Sequence, residues 1–570
     1  MSQKLTKFYT GIMLALTAAT SFLIMLYMKL EPVGVDDANI LFVYSKHLAM
    51  GEGLVYNIGG ERVEGFSSLL WVLLTAPGYL IANSPYPVFF ALNLLLVGGA
   101  LTSALWFIES RTGDSAGFRL SVSLAGMLFI AWLTANPSFF IWTVTSLLET
   151  GLWTALLLVT TILLLKVVES GKTTQRDIYL FTALLAAQIL TRPEAFAWVL
   201  TFGALMLLTL RAQAVTTKRL ISQFGLVAGV TALTFGLLIL FRLWYFGYLL
   251  PNTYYAKVTP DKLYNLRFGI IYLLQFLKAS PAIVPFILLA LFGLLRNLPA
   301  ALKTLLTNNT SINRERLGEF SISGIVLSGL VIPVLMGGDI FGAFRFYQPV
   351  WPIAFLLLLY FQLPEKWLSG RKPVTVLTLF VAVLVVVTYT NSVRWPDLSK
   401  DPERVRHIYE LADRQMRTGR NLHALFDDYP GGLPSLGASG AGGIKIAYAG
   451  NVLDTMGLNF TPMAHHDGDK KSQYRGHAAF NKDVFWQYAP QLFEPMWCPR
   501  KPPTNRIKLP DGWWYPIYRG LPSDSKFLEN YSYAILTLPD GAEKVCTYID
   551  NALLADLQDT GNYNIQLINE

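Results

Sequence analysis

Two adjacent carboxylic acids, Asp36 and Asp37, follow the first strongly apolar segment of the chain, in the stretch "VGVDDANILFVYSKHLAMGEG". The residues Ile40, Val43, Tyr44, His47 and Leu48 recur behind them at helical spacing and stop at Gly51, so the pair opens a helix. A carboxylate at that end lies in the positive field of the helix dipole and stays ionised. Held at a membrane surface, it can take a proton from a hydroxyl nucleophile, which is general-base chemistry. The same residues also fit a plain N-cap aspartate with an exposed neighbour. The loop by itself supports both readings equally.

The elements that must position such a pair are membrane helices. Of the 570 residues, 53% are hydrophobic and only 15% charged, well below the roughly 25% charged of soluble domains. The net charge of +8 fits loops facing anionic cytoplasmic lipid. No nucleic-acid motif occurs. Lys4 and Lys7 precede an apolar run from Ile12 to Tyr27 that lacks a small-x-small cleavage pattern, the signature of a retained signal anchor. Runs of spanning length recur near 10–29, 87–109, 118–135, 150–167, 178–190, 194–210, 222–244, 282–296, 319–336, 345–362 and 373–391, about eleven in all. The run Leu69 to Ala82 is broken by Pro77-Gly78 and is assigned to the interface as an amphipathic or re-entrant piece.

With that assignment the basic residues fall on one side. Arg111 and Arg119, Lys166 to Arg176, Arg211 to Arg219, Arg296 to Arg316 and Lys366 to Lys372 all lie in loops expected to face the cytoplasm. The opposite face collects "VGVDDAN", "TSLLETG", "LTRPEA", "FGYLLPNTYYAK" and "GGDIFGAFRFYQP", together with everything after the last span. The expected division is a transmembrane domain over 1–395, with its first external loop at 31–67, and a soluble domain over 396–570. In the latter, "SKDPERVRHIYELADRQMRTG" reads as a surface helix. Short apolar runs in "GIKIAYAGNVLDTMGL" and "YSYAILTLPDGAEKVCTYID" indicate a mixed α/β fold. Cys498 and Cys546 both fall outside the cytoplasm, where a disulfide between them is favoured over two separate thiols.

In their order along the chain, "DDANILFVYSKHLAMGEGLVYNIGGERVEGFSSLLWV", "TSLLETGLW", "LTRPEA", "RLWYFGYLLPNTYYAK", "GGDIFGAFRFYQPVWP" and "VLDTMGLNF" followed by "RGHAAF" resemble the polyprenyl-phosphate-sugar-dependent glycosyltransferases of the GT-C class. Within the class, the sequence is most similar to bacterial enzymes that add terminal β-1,2-arabinofuranose to mycobacterial arabinan. The resemblance implies a GT-C membrane fold and an active site facing the periplasm from the inner membrane. It implies an inverting single displacement from a polyprenyl-phosphate sugar, arabinofuranose, to a hydroxyl of a cell-envelope glycan. No cofactor is required, and a divalent cation is not indicated. The catalytic base is then Asp36, with Asp37 orienting the acceptor or taking its place.

A polyprenyl phosphate leaves with growing negative charge, which calls for cations near the breaking bond. Arg192, Lys257 and Arg345 are the external cations nearest span ends, with Arg242 and His477 as further donor-phosphate ligands. Each has an alternative: Arg192 pairing with Glu194, Arg345 with Asp339, Lys257 reaching to headgroups, Arg242 pairing with Glu149 or Glu194, and His477 lying on the surface. Glu149, Glu194, Asp339 and Tyr254 complete the substrate-binding set. Glu149 also suits a re-entrant turn, and Tyr254 and Tyr255 an interfacial belt. His465, His466 and Asp467 lie on one loop without the remote ligands a metal site needs, so no metal is assigned. Trp497, Trp513, Trp514, Tyr515 and Tyr518 suit glycan stacking or core packing. Other readings are a protein acceptor such as a pilin, a mannosyl or aminosugar donor, or a lipid or sugar transporter. Transporters bury charge at mid-membrane between repeated halves, a pattern not evident here.

Overall fold

The computed structural model describes residues 3–112, 122–259, 261–307, 312–360, 372–398, 401–468, 470, 479–498, 517–538 and 543–568. His477, Trp513, Trp514 and Tyr515 lie outside them. The chain divides into two units, one of Met1–Leu30, Pro87–Leu238 and Leu263–Arg406, the other of Glu31–Tyr86, Ile239–Lys262 and His407–Glu570.

The first unit is helical. Across the described residues of the whole chain, eight helices are long and apolar enough to cross a membrane: Thr6–Met28, Tyr86–Arg111, Thr150–Ser170, Ala195–Ala212, Thr217–Tyr245, Pro281–Leu306, Arg314–Leu335 and Gly342–Leu359. A ninth candidate is the pair Leu124–Thr134 and Pro137–Thr145, bent by 73° where Pro137 interrupts the run. The expected spans are thus met in part among the described residues. The Gln175–Thr191 helix, expected as a span over 178–190, has 17 residues and carries Arg176 and Asp177 in its first turn, leaving it short of about 30 Å of hydrocarbon. Among the described residues, the apolar stretch Thr378–Asn391 lies within the Lys372–Leu398 helix.

Burial sorts these helices. The Thr150–Ser170 window is 78% buried, so this helix is packed all round, whereas 17% of the Thr217–Tyr245 window is buried, which leaves an apolar surface fit for lipid. In the interior, Trp132 and Trp351 stack with centroids 4.1 Å apart. Each indole N–H donates to the other residue's carbonyl oxygen, at 3.0 and 3.2 Å, so both buried donors are satisfied.

The second unit is built on a six-stranded mixed sheet of order β2-β1-β3-β5-β4-β6. The strands are β1 (Leu436–Ala438), β2 (Val452–Asp454), β3 (Leu492–Trp497), β4 (Tyr531–Thr537), β5 (Lys544–Asp550) and β6 (Asn564–Leu567). β1 runs parallel to β2 and β3, and the remaining pairs are antiparallel. The Cys498–Cys546 disulfide ties the end of β3 to β5. Between β1 and β2 the chain forms the Ala441–Ala447 helix, a short βαβ crossover.

The unit boundaries differ from a simple division near residue 395. Residues 31–86 and 239–262 fold with the C-terminal part because their polar side chains are satisfied there. Asn57 exchanges two hydrogen bonds with Val452, at 2.9 and 3.0 Å, and so completes the edge of β2. Tyr44 donates to Asn459 at 3.0 Å, and Asn252 donates to the carbonyls of Gly457 and Leu458. The interrupted run after Ser68 forms two short helices, Leu69–Thr75 and Gly78–Ile81, in this same unit.

Candidate functional site

The acidic pair sits in the first turn of the Asp36–Ala49 helix, whose N-cap is Val35, so neither aspartate caps it. Asp36 is 8% exposed. Its two carboxylate oxygens accept the backbone N–H groups of Gly442 (3.2 Å) and Gly443 (2.7 Å) at the start of the Ala441–Ala447 helix. Gly442 is required by this approach, because a Cβ there would lie 2.0 Å from the Asp36 carbonyl oxygen. Burial pushes the Asp36 carboxyl up to about 6, against the two N–H groups that favour its charge. Asp37 is half-buried, and among the described residues its side chain makes no hydrogen bond or ion pair. The accessible carboxylate of the pair is therefore Asp37.

Two further carboxyls share the C-terminal edge of the parallel strands. Asp454, fully buried at the end of β2, accepts from the N–H of Met456 and from both the N–H and the side-chain amide of Asn459. Burial raises it to about 6, while Lys257 pulls it down. Glu494 in β3 accepts from Ser439 and Tyr518 and is raised by burial to about 7. Among the bases, His47 is held neutral, with burial lowering it to about 4 while its Nδ1 lies 2.8 Å from the Val55 carbonyl. Burial and Lys46 lower Lys445 to about 7.

Arg242 pairs with neither Glu149 nor Glu194. Its guanidinium forms a fork on Glu64, with Nε at 2.9 Å from Oε2 and Nη2 at 3.0 Å from Oε1. Both side chains are buried. Lys257, at the end of the Asn252–Lys257 helix, is half-buried and makes no hydrogen bond or ion pair among the described residues. Tyr254 is exposed, whereas Tyr255 and Tyr248 each pack against the His465 ring at 4.1 Å. His465 lies 3.1 Å from Asn252, and His466 is engaged by the Ala479 carbonyl and the Gly468 N–H.

In the first unit the sequence-selected residues converge. Pro193 holds Arg192 in extended backbone and ends the Gln175–Thr191 helix there, and Glu194 starts the next helix. A π-helical turn over Ile141–Thr145 and a left-handed Leu147 lead to Glu149, which heads the Thr150–Ser170 helix. Ala343 and Phe344 are also left-handed and throw Arg345 inward. Gln348 secures that bend by donating to the Ala343 carbonyl at 2.7 Å. Arg192 binds Glu149 at 2.5 Å and also Glu194. Arg345 binds Asp339 at 2.8 Å. Both guanidiniums lie near the Phe346 ring, at 5.0 and 5.1 Å. They border a cleft whose walls include Thr150, Trp153 and Trp198. No family model and no curated protein matches this chain.

Sequence reasoning passed over Asp454, Glu494, Glu64 and Thr150. Asp454 and Glu64 lie inside motifs that carried the resemblance, and the signal for Asp454 was a carboxylate closing an apolar strand five residues before Asn459. Among the described residues no group of three or more His, Cys, Asp or Glu is arranged to hold a metal ion.

Proposed function

We propose that this protein is a GT-C class glycosyltransferase that moves a sugar, arabinofuranose, from a polyprenyl-phosphate donor to a hydroxyl of a cell-envelope glycan at the periplasmic face of the bacterial inner membrane. Asp37 removes the acceptor proton, the acceptor oxygen attacks the anomeric carbon, and the bond to the phosphate oxygen breaks. Polyprenyl phosphate leaves with the electron pair. Asp36, fixed by Gly442 and Gly443, is a positioning residue that holds the first turn in place. Lys257, which makes no hydrogen bond or ion pair among the described residues and lies in the field of Asp454, supplies positive charge to the leaving phosphate. The GT-C fold and an inverting outcome come from the resemblance.

The observation that carries this reading is the unengaged Asp37 carboxylate at the positive end of a helix, directly after a membrane-length segment. The test is incubation of the purified protein with extracted cell-envelope lipids, followed by mass spectrometry of donor and product. Loss of a pentose from the lipid and its gain by a glycan is the expected result. Gain of a hexose would replace the sugar, and gain by a protein would replace the acceptor. Lipid that crosses the bilayer with no covalent change would point to transport and overturn the reading.

A further inference from the structure

We propose that the cleft between Arg192 and Arg345 takes a hydroxyl of a sugar and not a phosphate. This rests on the glycosyltransferase reading and reassigns the two arginines within it. Charge balance comes first. Arg192 is paired with Glu149 and Glu194, and Arg345 with Asp339. Three carboxylates thus face two guanidiniums, and the side chains of Arg192 (7%) and Arg345 (10%) are both buried. A phosphate entering there would meet cations already neutralised and one surplus negative charge. At short range in a buried site that repulsion is not screened by solvent.

The free hydrogen-bonding groups point the same way. Arg345 uses Nε on Asp339, and its two terminal nitrogens make no hydrogen bond among the described residues. Arg192 uses Nε and Nη1, which leaves Nη2. Against these donors stand acceptors. Glu194 engages Arg192 through Oε1 only, and Thr150, which lines the cleft and is 2% exposed, has an Oγ1 with no partner. A cleft that offers donors and acceptors together suits a group that does both, and a hydroxyl does where a phosphate dianion cannot. The free space of the cleft, about 20 Å3, has room for one water or one hydroxyl. Trp153, Trp198 and Phe346 supply apolar and aromatic surface around it for the C–H face of a sugar ring.

The test reads binding without turnover. Quenching of tryptophan emission is followed in purified full-length protein with methyl arabinofuranoside, with an arabinofuranose oligosaccharide, with inorganic phosphate and with sugar-free polyprenyl phosphate. Trp198→Phe identifies the signal from the cleft. The arabinofuranosides are expected to quench it, Thr150→Val and Glu194→Gln to weaken binding about tenfold, and phosphate neither to quench nor to compete. Two substitutions on different helices keep the test intact if one of them fails to fold. Competition by inorganic phosphate, or absence of any sugar-dependent quench, would overturn the assignment. Sugar binding without any transfer in the lipid assay would leave the cleft assignment standing and remove the glycosyltransferase reading instead.

Discussion

The Asp36 carboxylate accepts the Gly443 backbone N–H at 2.7 Å across 407 positions of sequence. With the Tyr56 hydroxyl, which donates to the Ala441 carbonyl at 2.6 Å, it ties the first long loop to the Gly-rich crossover of the sheet. Asp36→Ala would leave two buried N–H groups unpaired, at about 1–3 kcal/mol each. Gly442→Ala would force the backbones apart at a cost of about 1–3 kcal/mol. Thermal unfolding of the purified protein in detergent should show both variants several degrees below wild type. An unchanged midpoint for Gly442→Ala would mean that this approach is not maintained in solution.

The same geometry separates the two aspartates by function. Asp37→Asn should abolish sugar transfer and leave thermal stability near wild type, because the Asp37 side chain has no partner to lose. Asp36→Asn should lower both stability and transfer. Full transfer by Asp37→Asn would return the base to Asp36.

The Glu64–Arg242 fork is buried on both sides. Removing one partner leaves an uncompensated charge, so Arg242→Met should destabilise by about 3–5 kcal/mol, whereas Glu64→Gln combined with Arg242→Met should recover most of that. A double-mutant cycle on thermal unfolding measures the coupling. Additive losses would show that the pair is not formed in solution.

What was legible in the sequence followed from local rules. Membrane-length apolar runs, the helix opened by Asp36-Asp37, the short β strands and the pairing of Cys498 with Cys546 each depend on residues near in sequence or on compartment chemistry. The pairings Arg192–Glu194 and Arg345–Asp339 were visible for the same reason, being two and six residues apart. The partners of Asp36 and Arg242 were not. Gly443 and Glu64 lie 407 and 178 residues from them, and no local spacing selects one distant backbone amide or carboxylate over another. Hydropathy registers apolar content and not the Asn136-Pro137 bend or the charged first turn of Gln175–Thr191, so these two features were not visible in it. Asp454 lies within a motif of the resemblance, but its burial and its bonds to Met456 and Asn459 arise only once β2 and the turn after it are folded.

The disulfide between Cys498 and Cys546 closes a sequence separation of 48 residues. A closed loop of that size restricts the unfolded chain by about 4 kcal/mol in the chain-entropy account. The double variant Cys498→Ser, Cys546→Ser should therefore unfold at a clearly lower temperature. Protein unfolded without reductant should take up no alkylating agent, and modification of both cysteines would rule out the bond.

The pH dependence of stability has two opposing arms in the second unit. Asp36 and Asp454, raised to about 6, and Glu494, raised to about 7, bind protons more tightly when folded than the ordinary 3.8 and 4.5 of the unfolded chain. Their contribution is greatest in acid and is lost as pH rises from about 4 through 6 to 7. His47, lowered from 6.5 to about 4, has the opposite sign: its contribution is complete above pH 6.5 and is lost as pH falls through 4. Glu494→Gln keeps an acceptor for Ser439 and Tyr518 and removes the charge, so it should flatten the decline on the alkaline side. His47→Asn should flatten the decline on the acid side. Midpoints recorded from pH 4 to 8 decide this: curves for both variants that run parallel to wild type would show that neither buried group is titrating against the fold.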